Sequence, residues 1–537
     1  MMIVVKRIFS YEATIPILLT LLVFTLSAYP WVERALSQAP DRIWIPFHNS
    51  TGDYPTYVTA VKQGLDGHLL TYNMYAIAPH KPGLYFIFYS MLGLIGRALG
   101  SNDAHLVYHV SRFVLGIMWC GVIYLILKKV LATRLERTLA YFFILTSSSF
   151  PRWVVNNGVP ELDWYLSWWT EFDPTKRFAF LPHYLAGHIL FGIALLLYLK
   201  AVESQRMRYI FLSSLAGWFA GLIHPPSLMI MLLIIPIYST IVHGLQSIRF
   251  WGVFSLISIT SPLLMSWQAN QFPWNNSWAH EGLSFAVPFN EVLLALGPVS
   301  LLAAGALVLL RKKKYVLLCV LWIFLSLSML LISKWILNFP YRILHIIPLS
   351  NVRFLQTALW VPLGILAATT SGLLRKRWGM LPVVLCLALY SGIVAFGYPS
   401  SIKKQISGLA WAEDYHAPTL QWLSVVQALN DMKDTGPVLT LQWAGSLLPT
   451  FISRKSYTGN PIITPDHINQ MGNAYRFFTG LPTCEAYAIV RDGNVAAVLF
   501  GFDEAVAGNA ATHYPFLRPI KSAGGNVLYG VIPWKGC

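Results

Sequence analysis

Charge is scarce in this sequence: Asp, Glu, Lys and Arg make up 12% of its 537 residues, where soluble domains carry roughly 25%. Together with 55% apolar residues and a mean hydropathy of +0.54, that shortage excludes an ordinary soluble globule and leaves a polytopic membrane protein. Cysteine is scarce too. Five in this length exclude a disulfide scaffold. Cys120, Cys319 and Cys386 lie inside apolar runs, so Cys484 and Cys537 are the pair placed to bridge, which would require an oxidising compartment. The sequence has no G-x-x-x-x-G-K-[ST] loop, no dinucleotide fingerprint, no internal repeat and no low-complexity tract. The motifs therefore argue against ATP-driven transport by this chain alone.

The net charge of +16 is not a nucleic-acid footprint, because the basic residues occur in short clusters between apolar runs rather than along one soluble face. The run "ATIPILLTLLVFTLSAYPWV" after the basic "MMIVVKR" could pass for a secretory signal, but it reads better as an uncleaved first span. Eleven spans are expected, near 13–33, 105–127, 138–150, 182–199, 209–223, 227–244, 251–267, 291–310, 315–333, 354–373 and 379–397. With the N-terminus cytoplasmic, the connections "KKVLATRLER", "KAVESQRMR", "HGLQSIRF", "RKKK" and "RKR" all face the cytoplasm, as the positive-inside rule requires. Residues 83–100 are apolar enough to cross, but a crossing there would turn every later basic cluster outward. They read instead as an interfacial helix.

Long loops then fall on the outer face, at 34–104, 151–181, 268–290 and 334–353. Residues 1–397 form the membrane domain, and 398–537 a small extracytoplasmic α/β domain. In the latter, "PVLTLQW", "EAYAIV", "NVAAVLF" and "NVLYGVI" read as strands and "APTLQWLSVVQALNDM" as helix.

The first outer loop places Asp53 in "HNSTGDYPTYVTAV". Residues Tyr54 to Leu65 read as an amphipathic helix on the membrane, with Asp53 near its N-terminus either as a simple cap or as a functional acid. "HKPGLYF" follows, and then Arg112 at the mouth of the second span. The second outer loop carries Glu161, Asp163, Glu171 and Asp173 in "E-L-D" and "E-F-D" spacing, then Lys176, Arg177 and His183, among Trp164, Trp168 and Trp169. The tryptophans suit either sugar stacking or interface anchoring. His224, ahead of Pro225 and Pro226, reads as part of a structural turn, and Asn49 and Asn275 stand in glycosylation sequons.

An acid after the first span, a "K-P-x-L-Y" element before a juxtamembrane helix, many short spans and a closing outer domain resemble the GT-C glycosyltransferases. That superfamily includes protein O-mannosyltransferases, oligosaccharyltransferases and the lipid A aminoarabinose transferase. The chain departs from it in having Tyr54 where some members place Glu, and "KPG" for "KPP". The resemblance implies a GT-C-like bundle with juxtamembrane helices in the first outer loop. It also implies transfer of a hexosyl or pentosyl group from a polyprenyl-phosphate donor to a glycan, lipid or protein acceptor outside the plasma (inner) membrane. Asp53 would be the general base, Lys81 and Arg353 the donor-phosphate ligands, and Tyr54, Glu171, Asp173 and His183 substrate contacts. Lys81 and Arg353 could equally snorkel to headgroups. The residues fix no cofactor: Mg²⁺ or Mn²⁺ is an option that the acidic loop leaves open, and sugar or acceptor contacts fit it better. A flippase or transporter of lipid-linked glycans is the alternative, and a glycan polymerase or ligase a chemical cousin. Few mid-membrane charges and no inverted repeat weigh against transport.

Overall fold

The structure, a computed structural model, describes residues 11–45, 52–156, 158–167, 169–276, 287–336, 351–416 and 418–537; Asn49 and Trp168 fall outside them. Among the described residues seven helices are long and apolar enough to cross a membrane: Ala13–Ser37, Ala104–Val130, Pro182–Ser204, Pro225–His243, Leu245–Ala269, Lys314–Ile332 and Met380–Leu409. The pair Phe289–Ala295 and Gly297–Leu309, bent by 83°, makes an eighth if counted as one span. Gly297 permits the bend. Its φ is +64°, and a Cβ there would stand 1.8 Å from the Ser148 carbonyl oxygen. The chain is an integral membrane protein. Three other expected spans are helical but shorter or more polar: Arg134–Thr146, Met207–Ile223 and Trp360–Trp378, the last closing on Arg375, Lys376 and Arg377.

The chain divides into two compact units. One comprises residues 1–32, 111–266 and 281–406, the other 33–110, 267–280 and 407–537.

The first unit is built from the long helices. Small residues let them approach closely, since a Cβ on Gly192 would meet Val122 at 2.5 Å. The Ser213 hydroxyl donates across to the Ala194 carbonyl at 2.7 Å, and Phe191 packs on Trp322 with centroids 4.5 Å apart. Strands β1 (Pro151–Asn156) and β2 (Val159–Trp164) form an antiparallel hairpin in the second loop.

In the second unit, helix Asp53–Leu65 lies against helix Ile87–Ala98. Contact between them is backbone to backbone. A Cβ on Gly64 would sit 2.1 Å from the Ser90 carbonyl oxygen, and one on Gly93 2.1 Å from that of Val61. Ile87–Ala98 has 12 residues, about 18 Å of helix, shorter than a ~30 Å hydrocarbon core. The first of these helices differs from its expected amphipathic form: Tyr54 through Val61 and Gln63 through Leu65 are all buried. Only Asp53 and Lys62 keep partial exposure, so no continuous face is left for a membrane surface.

The remainder of this unit is α/β. Strands β3 (Val438–Leu439), β4 (Ala497–Phe500), β5 (Leu517–Ala523) and β6 (Asn526–Val531) form one sheet in the order β3-β4-β6-β5. Only β3 and β4 run parallel. Phe477, Phe478, Val498 and Phe516 fill its core. The expected strand "EAYAIV" is instead part of helix Thr483–Asp492, where Ala486 and Val490 bury one i, i+4 face. A disulfide joins Cys484 to Cys537.

Candidate active site

Asp53 is the first residue of its helix and half-buried, and the N-cap position is Gly52. Unpaired N–H groups of that first turn favour a negative charge there. Two side-chain groups fix this end. Asn460 donates through Nδ2 to the Gly52 carbonyl and to Thr56 Oγ1, both at 2.9 Å, and its own Oδ1 accepts from Ile462 N–H at 2.8 Å. Tyr54, fully buried, shares hydrogen bonds with His105 Nδ1 at 2.7 Å and His109 Nε2 at 3.1 Å. His105 continues to Thr450 Oγ1 through Nε2 at 3.2 Å. Burial above all, and then the charges of Tyr108 and Asp103, holds the Tyr54 phenol well above its ordinary range. It is therefore neutral and serves as a hydrogen-bonding post. Tyr54, expected to touch substrate, is thus placed as a support beside Asp53.

Lys81 is exposed. The element that carries it is fixed by its neighbours: Thr71 and Gly83 form a β-bridge, and Leu84 N–H donates to Gln268 Oε1 at 2.7 Å. Tyr85 stacks on Trp274 with centroids 4.6 Å apart. The "KPGLY" loop is thereby clamped while the ammonium stays in solvent.

In the other unit, Arg353, His183, His188 and His224 gather around Tyr184. Arg353 donates to the Tyr184 hydroxyl and stands over the Trp169 ring, 5.9 Å from its centroid. His183 packs on Tyr184 at 4.3 Å, and Tyr184 meets His224 edge-on at 4.8 Å. His188, 5.9 Å from His224, bonds through Nε2 to the Gln356 carbonyl at 2.8 Å. His183 is in the first turn of Pro182–Ser204 and His224 caps Pro225–His243, so the positive ends of two long helices meet here. Gly187 makes the approach possible, since a Cβ on it would lie 2.5 Å from His224 Cβ. The expected turn role of His224 holds, and its ring also joins this cluster around Tyr184. His188 carried no sequence signal beyond being a histidine in an apolar run, and His224 was legible only as part of a turn before two prolines.

Glu171 and Asp173 form the corner below. The Glu171 carbonyl accepts from Arg177 Nε at 2.7 Å and Trp360 Nε1 at 2.6 Å, while Arg177 also donates to the carbonyls of Ile144 (3.0 Å) and Ser147 (2.6 Å). That guanidinium closes the C-terminal end of Arg134–Thr146. Burial raises the Glu171 carboxyl above its usual range, against the opposing charges of His188 and Arg177. Asp173, expected to contact substrate, is engaged within the chain. It caps Pro174–Arg177, accepting from Thr175 N–H (2.9 Å), Thr175 Oγ1 (2.6 Å) and Ser401 Oγ (2.5 Å). Asp163 likewise is held by Lys404 at 2.8 Å and Ser167 at 3.0 Å. Trp164 is buried beside Gly397, where any Cβ would strike it; its face is packing surface rather than a stacking platform.

No group of three or more His, Cys, Asp or Glu residues suited to a metal ion occurs among the described residues. Of the second-loop acids, Asp163 and Asp173 are engaged by neighbouring side chains, and no step below uses a metal ion.

No protein-family model matches the chain, and no curated protein matches it. Solved structures of the oligosaccharyltransferase AglB from Archaeoglobus fulgidus are similar to it. One, with an inhibitory peptide and a dolichol-phosphate, has a TM-score of 0.48 and 13% identity, covering 98% of this chain and 74% of that one. Another, tethered to an acceptor peptide with the NVT sequon, has a TM-score of 0.47 and 12% identity, covering 92% and 70%. The apo form gives 0.47 and 13%, covering 98% and 75%.

Proposed function

We propose that this chain is a GT-C type glycosyltransferase that moves a sugar from a polyprenyl-phosphate donor to an acceptor on the outer face of the membrane. The observation that carries the reading is the cluster of Arg353, His183, His188 and His224 at two helix N-termini. One guanidinium, imidazole rings, oriented helix N–H dipoles and aromatic walls in a partly dry setting suit a phosphate on an apolar chain.

In this reading Asp53 is the general base. Its carboxylate takes the acceptor O–H proton as that oxygen bonds to the anomeric carbon, and the bond from that carbon to the phosphate oxygen breaks. The bonding electrons leave with the phosphate. Arg353 meets the charge that develops on it, and Lys81 is the second cation assigned to that role. Glu171 and His183 contact the sugar or acceptor, with Asp173 holding the corner that presents Glu171. Tyr54 keeps the first turn of the Asp53 helix in place.

Eleven crossings, an N-terminus in the cytoplasm, a membrane domain over 1–397 and an outer domain over 398–537 in the plasma (inner) membrane belong to the same proposal. The Cys484–Cys537 disulfide supports the outer placement, because such bonds persist in oxidising compartments. The acceptor is a glycan, lipid or protein.

Purified protein supplied with a polyprenyl-phosphate sugar and candidate acceptors tests the reading. Transfer by the wild type, lost by at least about a hundredfold in Asp53→Asn with unchanged folding, is the expected result. Equal transfer in that variant would remove Asp53 from the reaction.

A further inference from the structure

The second unit also holds a cavity of about 470 Å³, within the ~300–1,000 Å³ range of small-ligand sites. None of the residues assigned to the transfer site lines it. Its walls are the helices His467–Thr479 and Thr483–Asp492, with Tyr457 and Ile77 between them. Side-chain amides dominate one wall: Asn469, Gln470 and Asn473 recur at helical spacing on a single face. Gln470 is the informative one. It is 9% exposed, and its buried amide oxygen has no hydrogen-bond partner, a costly condition that native proteins rarely leave unanswered.

Gly493 lies in the cavity lining, and a Cβ there would come within 2.7 Å of the Tyr457 ring. The charged lining is three carboxylates, Asp466, Glu485 and Asp492, against the single Arg476, which sits 3.6 Å from Glu485. Asp492 is paired with Arg491 at 2.8 Å, and Asp466 accepts from Asn469 at 2.8 and 3.0 Å, so both arginines are already matched to carboxylates and an anionic ligand gains little here.

We propose that this cavity binds a neutral or amino-bearing saccharide. A sugar hydroxyl both donates and accepts, and a carboxamide is the side chain that answers in both senses. The carboxylates accept from further hydroxyls or from a sugar ammonium, while the Tyr457 ring and Ile77 offer apolar surface to the C–H face of the pyranose or furanose. A basic peptide would also donate to the carboxylates and to Gln470 Oε1, and it is the contrasting outcome of the test. The site stands apart from the transfer reading, and binding at it is measured without any turnover.

The test is calorimetric titration of the full-length protein in detergent micelles with N-acetylglucosamine, glucosamine, mannobiose and, as the contrasting probe, trilysine. At least one sugar saturates in the millimolar range. Gln470→Leu weakens it about tenfold, the scale of one buried hydrogen bond, and Asp53→Asn leaves it unchanged. Should Gln470→Leu fail to fold, Asn473→Ala on the half-buried rim carries the same expectation. The proposal is overturned if no sugar saturates, if both amide variants bind as the wild type does, or if trilysine alone binds.

Discussion

Asn460 donates a 2.9 Å hydrogen bond to the carbonyl of Gly52, the peptide unit immediately before Asp53. A residue more than four hundred positions away in sequence thus sets the direction in which the helix carrying Asp53 begins.

Replacing Asn460 with Ala removes that bond and the one to Thr56, and leaves the Ile462 N–H without its acceptor. The expected loss of stability is about 1–3 kcal/mol. Sugar transfer should fall more steeply than stability, because the carboxylate loses its setting. Denaturant unfolding and initial transfer rates on the same preparation measure the two effects; a rate that merely tracks the folded fraction would deny Asn460 a positioning role.

Tyr54→Phe takes the shared hydroxyl from His105 and His109 while leaving the ring in place. A destabilisation of about 1–3 kcal/mol is expected, read as a lower unfolding midpoint. The double variant with His105→Phe should cost less than the sum of the two single changes, because both remove the same bond.

Asp163 offers a pH test. Burial alone would raise its carboxyl, but the hydrogen bond and charge of Lys404, with Ser167 and the Trp164 backbone, bring it below the ordinary carboxylate range. A depressed folded pKa contributes stability above the unfolded value of about 3.9 and loses it as pH falls through the folded value. Acid unfolding of Lys404→Met should therefore begin at a higher pH than that of the wild type. Coincident acid limbs would show that the pair contributes nothing.

Glycine spacing makes a contrast. Gly64→Ala and Gly93→Ala each drive a methyl to 2.1 Å from a backbone oxygen of the partner helix, whereas Gly121→Ala meets nothing within 4 Å. The first two should cost about 1–3 kcal/mol or more, and Gly121→Ala should be close to neutral. Thermal melts of the three variants side by side decide it.

The sequence alone determined the membrane class, because a shortage of charge and repeated apolar runs are local properties that solvent transfer reads directly. It also picked out Asp53 at a helix start and Cys484 with Cys537 as the pair placed to bridge, since each rests on neighbours or on elimination. Tertiary structure decided the rest. Burial of Tyr54–Val61 and Gln63–Leu65, Asn460 on Gly52, and the meeting of His188 and His224 beside Arg353 depend on segments far apart in the chain. A polar side chain in such a segment looks the same in sequence whether it faces water or another residue. Only the packing of helices and strands settles which partner satisfies it, just as packing turned "EAYAIV" into helix by giving Ala486 and Val490 a common core to enter.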